Sequence, residues 1–179
     1  MKKIAIALCV LAAPAGAQTM PSESDFVPAE RLLEEIAETP YECTGYDASS
    51  DSCEVLSFYQ REGETILNGG QFVVSMDPRI TGSAYVPLQI RDGKFCGDLD
   101  DMDLRLEGGE PGMEDMVIAI MRQAMEPYGE ICSSYYRTGT EGEYTSVVRG
   151  ESGEVVPEGV DVMQFFAEPK AIRAEDAAL

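Results

Sequence analysis

The sequence predicts an α+β domain with a mostly antiparallel sheet, two amphipathic helices and two disulfides. Three observations lead there: two segments with apolar residues at helical spacing, several β-rich runs joined by short turns, and an even set of cysteines in a chain that carries an export signal.

The export signal comes first. Lys2 and Lys3 precede an apolar run from Ile4 to Ala13, and Ala15-Gly16-Ala17 forms a small-residue cleavage site before Gln18. Residues 1–17 are therefore expected to be removed, with cleavage between Ala17 and Gln18, and Cys9 leaves with them. The apolar run is shorter than the roughly 20 residues a membrane helix needs, and no later segment approaches that length. A periplasmic or secreted protein without membrane insertion follows. Residues 18–27 read as a polar leader, 28–168 as one α+β domain and 169–179 as a flexible tail.

The first helix is read in VPAERLLEEIAETP, where Pro28 suits the first turn, Leu32, Leu33, Ile36 and Ala37 share a face, and Pro40 stops it. The stretch CEVLSFYQREGETIL then predicts a hairpin turning near Glu62-Gly63, and QFVVSM a short buried strand. Gly69-Gly70 and Gly108-Gly109 read as turns. AYVPLQI alternates, and because Pro87 cannot donate to a ladder that strand is expected at an edge. Asp92-Gly93 is a strong hairpin signal.

The second helix is the clearest element. In MEDMVIAIMRQAMEP, Met113, Met116, Val117, Ile120, Met121, Ala124 and Met125 recur at helical spacing and are expected to face the core. Glu110, Glu114 and Asp115 suit its N-terminus, and Pro127 with Gly129 ends it. Strands return in ICSSYYRT, EYTSVVRG, GEVV and VDVMQFFAE. Both halves run helix, Pro-Tyr, cysteine, strands, which leaves an internal duplication standing beside coincidence as the explanation.

Four cysteines remain after cleavage: Cys43, Cys53, Cys96 and Cys132. Their spacing contains no CxxC motif, and the favoured pairing is Cys43 with Cys53, around a Gly-, Asp- and Ser-rich turn, and Cys96 with Cys132. Cys96 would then anchor an acidic connection over residues 97–112.

The chemistry is bounded mainly by what is missing. The sequence has no histidine, and only Lys94 and Lys170 follow the signal, so His-dependent bases, nucleophile pairs and His metal sites are closed to it. No phosphate-cradling glycine motif is present. Without Lys2 and Lys3 the chain carries 11 basic against 33 acidic residues, a formal charge of −22, which repels nucleic acid and anionic lipid. No catalytic residue and no cofactor is nominated. The expected role is that of an exported binding module that engages a basic protein or peptide through its acidic surface, in particular the stretch from Asp98 to Asp115. The alternatives are a carboxylate-dependent hydrolase, a calcium-binding protein or a structural envelope component. For calcium, Asp98, Asp100, Asp101 and Asp103 are the candidate ligands, although their spacing departs from that of a helix-loop-helix calcium loop. The methionine-rich helix is a weaker candidate for Cu(I).

Overall fold

In a computed structural model, which describes residues 20–77, 79–109 and 112–174, the chain is built mainly of strands. In chain order these are β1 (Phe26–Val27), helix α1 (Ala29–Glu35), β2 (Tyr41–Thr44), β3 (Ser52–Cys53), β4 (Val55–Glu62), β5 (Thr65–Met76), β6 (Arg79–Arg91), β7 (Lys94–Asp98), β8 (Asp103–Gly108), helix α2 (Met113–Met125), β9 (Glu130–Arg137), β10 (Glu143–Gly150), β11 (Val155–Phe166) and β12 (Ala171–Ile172). Eight of them form an antiparallel ring in which β2, β4, β5, β6, β7, β9, β10 and β11 pair in sequence and β11 returns to pair β2. This closed barrel overturns the expected α+β architecture. The helices do not form a layer on an open sheet, because the sheet covers its own apolar face by closing on itself. Nor do the two halves match, since α1 is buried in the core whereas α2 has no buried residue, and the strands that follow them differ in number.

The register shows which residues face the lumen. Glu42 lies opposite Ser57 and Phe165, Ile66 opposite Leu88, Ile90 opposite Phe95, and Tyr144 opposite Met163. Val27, Ala29, Leu32 and Ile36 pack with Ile66, Leu88, Phe95, Tyr135, Tyr144, Met163 and Phe165 in one buried cluster. A seven-residue helix that touches strands all round a ring can do so only from inside its end, so α1 is a plug. The two-residue Asp92-Gly93 turn, with φ of 50° and 73°, has the left-handed backbone of the tight hairpin that the sequence indicates, and the Gly93 carbonyl accepts the Ala29 N–H at 2.8 Å. One turn thus closes a hairpin and holds the start of the plug.

Other expectations are corrected by long-range pairing. Pro87 does not mark an edge strand: β6 pairs β5 along one side and, along the other, β7 through Gln89–Arg91 and β8 through Ile80–Tyr85. Pro87 lies where the neighbour changes, so its missing N–H disrupts neither ladder. Gly69-Gly70 is no turn but the middle of β5. A Cβ on Gly69 would lie 2.4 Å from the Phe58 ring, its cross-strand partner, and the absent side chain makes room for that ring. QFVVSM is the half-exposed second part of β5, with an irregularity between Val73 and Ser75.

Helix α2 has no buried residue, contrary to the core position its spacing suggested. It packs against β8, and β8 departs from the ring once the β7–β9 ladder ends at Asp98 and Glu130. Residues 170–173 lie back along β3, where Arg173 donates its backbone N–H to Cys53, reaches the Gly45 carbonyl and pairs with Glu54 at 2.8 Å. The signal segment, its Ala17-Gln18 cleavage site, Glu110 and the last five residues lie outside the described residues.

Both disulfides are present in the favoured pairing, Cys43–Cys53 and Cys96–Cys132. Cys96 and Cys132 are direct cross-strand neighbours in β7 and β9. Residues 99–129 leave the ring between them, so the crosslink secures the ladder on which that excursion pulls. Replacing both by serine is expected to lower stability by about 2–4 kcal/mol in urea unfolding. Leu32→Ala should lose about 2–5 kcal/mol, because Leu32 is fully buried in the plug. A cost no larger than that of Leu33→Ala, at a half-buried position, would show that α1 does not seal the ring.

Candidate functional site

Three places bring chemically active side chains together. The first lies inside the barrel, just beyond the apolar layer over α1. Alternation in β2 turns Glu42 inward, and Tyr59 of β4 and Tyr135 of β9 reach the same carboxylate oxygen, Oε2, at 2.9 and 2.7 Å. The two phenolic oxygens are 2.5 Å apart. Three close oxygen contacts therefore share two phenolic hydrogens, and a neutral carboxyl supplies the third. Burial pushes the Glu42 carboxyl up, the charge of Asp161 adds to this, and the two tyrosine hydrogen bonds oppose it. Burial likewise holds both tyrosines well above their ordinary range. Phe95 stacks on Tyr59 with centroids 5.1 Å apart and meets Tyr135 edge-on at 6.1 Å. With Glu42 only 5% exposed, the trio is a polar knot within the core that locks three strands together.

The second place is a cleft of about 590 Å³ between the end of α1 and the loop joining β9 to β10. Ile36, Tyr144 and Phe165 form its floor, and Glu35, Arg137 and Glu143 line its sides. Glu35 accepts hydrogen bonds from the Tyr144 hydroxyl and Arg31 Nε, each at 2.8 Å, and pairs with Arg137. Burial pushes Glu35 up, but Tyr144, Arg137 and Arg31 together outweigh it and hold the carboxyl below its usual range. Glu143 is held low chiefly by the Thr138 hydroxyl at 2.6 Å, against some burial, with help from Gln164 at 3.0 Å. Tyr144 is pushed up to about 12 by burial and by Glu35. Both cleft carboxyls are thus anions at neutral pH.

The third place is the acidic stretch opened by CGDLDDMD. It is not a loop. Asp98 ends β7 and caps the single turn Leu99–Asp101, its carboxylate accepting the Asp100 N–H at 2.9 Å. Asp103 begins β8 and pairs with Arg105. Asp98, Asp100, Asp101, Asp103, Glu107, Glu114 and Asp115 are all exposed. Among the described residues no group of three or more acidic or sulfur ligands comes together in a metal-binding arrangement, so the four aspartates stand apart as potential calcium ligands. The methionines of α2 likewise divide between two sides of the helix: Met113, Met121 and Met125 are half-buried, whereas Met116 is 58% exposed.

Sequence reasoning missed the Glu42–Tyr59–Tyr135 knot. The available signal was a glutamate between Tyr41 and Cys43 in a strand whose alternation turns it inward; of its two partners, Tyr59 lies on the adjacent strand β4 and Tyr135, 93 residues away, comes from the ring closure. Searches against protein-family models, curated proteins and solved structures find no match for this chain.

The raised carboxyl has a definite sign. Its folded-state pKa lies above its ordinary value of 4.5, so its contribution to stability is full below that pH and is lost as pH rises through the raised value. Glu42→Gln should therefore gain stability relative to the parent as pH rises above 4.5, measured by chemical unfolding across a pH series. A stability difference that stayed constant with pH would show that Glu42 is charged in the folded chain.

Proposed function

We propose that this chain is an exported binding module, periplasmic or secreted, that engages a cationic protein or peptide through its acidic exterior. The observation that carries the reading is the exposed run from Asp98 to Asp115. Among the described residues, Asp103 alone of its seven exposed acids forms an ion pair, with Arg105. Six carboxylates that form no ion pair favour a cationic surface arriving from solution.

The barrel itself supports this reading. Its lumen is filled at one end by α1 and aromatic side chains, so the outside is the surface available to a macromolecule. Outward positions of the barrel mix polar residues such as Gln60, Thr81, Ser83, Gln89, Arg91, Glu130, Thr145 and Arg149 with apolar ones such as Leu56, Phe58, Leu67, Tyr85 and Val162. The two disulfides suit an oxidising compartment. No helix among the described residues is long and apolar enough to cross a membrane.

A carboxylate-dependent hydrolase would need a protonated acid beside an ionised one in an open cleft. Here the raised carboxyl, Glu42, is enclosed, whereas the cleft carboxyls Glu35 and Glu143 are both held in the ionised form. That separation favours binding over acid–base chemistry.

Immobilised protein should capture a basic partner from periplasmic extract, and raising the ionic strength to about 1 M, where screening acts within about 3 Å, should release it. Capture of no partner, or of one whose retention is insensitive to salt, would remove the basis of this reading.

A further inference from the structure

We propose that the outer face of α2 is the docking surface for a cationic amphipathic helix of the protein partner; this rests on the acidic-surface reading above and makes it specific. Nine of the thirteen residues of α2 are apolar, the exceptions being Glu114, Asp115, Arg122 and Gln123. At 100° per residue such a helix is apolar around most of its circumference, a pattern that calls for cover on more than one side. Strand β8 packs against the side of the helix where Met113, Val117, Ile118, Met121 and Met125 are half-buried. Met116, Ile120 and Ala124, at i, i+4 and i+8, form an uncovered row, and Met116 and Ile120 are each 58% exposed.

Charge selects the occupant. Exposed Glu114 and Asp115 lie in the first turn, one to either side of the row at about 120–140° around the helix from its centre, and exposed Glu126 follows the last turn. Twelve residues at 1.5 Å rise put these acidic ends about 18 Å apart. A helix with two apolar residues one turn apart and basic residues on either side would meet all of these features at once. A second copy of this chain, at a formal charge of −20, is repelled, as is an anionic bilayer. Methionine's flexible thioether suits a surface that adapts to the apolar face of another helix.

The test uses the exported full chain and two labelled lysine–leucine peptides of about 16 residues, long enough to span that distance as a helix. They have identical composition; one has leucines at helical spacing and the other has them scattered. The parent is expected to bind the amphipathic peptide about tenfold more tightly. Met116→Ser combined with Ile120→Ser should abolish that preference while leaving affinity for the scattered peptide and the Tm unchanged, since both side chains are exposed. Glu114→Gln with Asp115→Asn and Glu126→Gln should weaken both peptides. Equal binding of the two peptides, or a preference that survives the Met116 and Ile120 substitutions, overturns the α2 proposal and leaves the acidic-surface reading standing. Binding of neither peptide, or binding insensitive to salt, overturns both. Recruitment to uncharged phosphatidylcholine vesicles that depends on Met116 and Ile120 would overturn the proposal by making lipid the occupant.

Discussion

Closure of the ring is the constraint on which the rest of the structure depends. Strands β2 and β4 to β7 form one antiparallel run and β9 to β11 another, and among the described residues two ladders join them: β7 with β9 and β11 with β2. Each has four residue pairs, fewer than the eight or more that hold β4 to β5 and β5 to β6. Short ladders between distant segments close long loops for few hydrogen bonds, so they are where a barrel would open first. Both disulfides begin on these strands. Cys96–Cys132 crosses one seam directly, and Cys43 in β2 carries the other crosslink beside the second seam. The β6–β7 ladder, with three pairs, and the β2–β4 ladder, with four, are as short, but they join segments close in the sequence; among the described residues the crosslinks thus sit on or beside the ladders that join distant parts of the chain.

What the closed ring encloses is arranged by depth. At one end α1 supplies Leu32 and Ile36 to a layer of Phe95, Tyr144 and Phe165, and the Arg31–Glu35–Arg137 cluster with Tyr144 ties the end of the helix to β9 and β10. Farther in, Glu42 replaces an apolar side chain and binds the hydroxyls of Tyr59 and Tyr135. A charged carboxylate there would carry a large desolvation cost, and the neutral acid with two phenols instead satisfies three oxygens with one another. The knot depends on closure, because Tyr135 of β9 reaches Glu42 and Tyr59, on the neighbouring strands β2 and β4, only across the closed ring.

The excursion from residue 99 to 129 carries the features that the barrel does not use. It contains β8, α2 and most of the exposed acidic run, and it is bounded at both ends by the Cys96–Cys132 crosslink. A surface segment fixed at its base can present an apolar row and flanking carboxylates without disturbing the core. The compact core thus accounts for stability, and the excursion is where the proposed recognition surface lies.

Local information in the sequence was enough for several elements. The hairpin near Glu62-Gly63, the Asp92-Gly93 turn, the cysteine pairing, the acidic balance and the lack of histidine chemistry were legible, because each depends on neighbouring residue types or on composition. The same local logic erred wherever the deciding partner was remote. Pro87 read as an edge because nothing nearby reveals that its neighbour changes from β7 to β8, and Gly69-Gly70 read as a turn because the Phe58 ring that fills the space lies on another strand. The spacing in α2 showed that the helix is amphipathic but not how much of its apolar arc β8 would cover. Composition and spacing by themselves determined the crosslinks and the charge. Only the tertiary structure decided that the strands close into a barrel, that Glu42 is enclosed with its carboxyl pushed up by burial, and that Met116 and Ile120 face outward, because burial depends on which distant strands meet and no local pattern encodes that meeting.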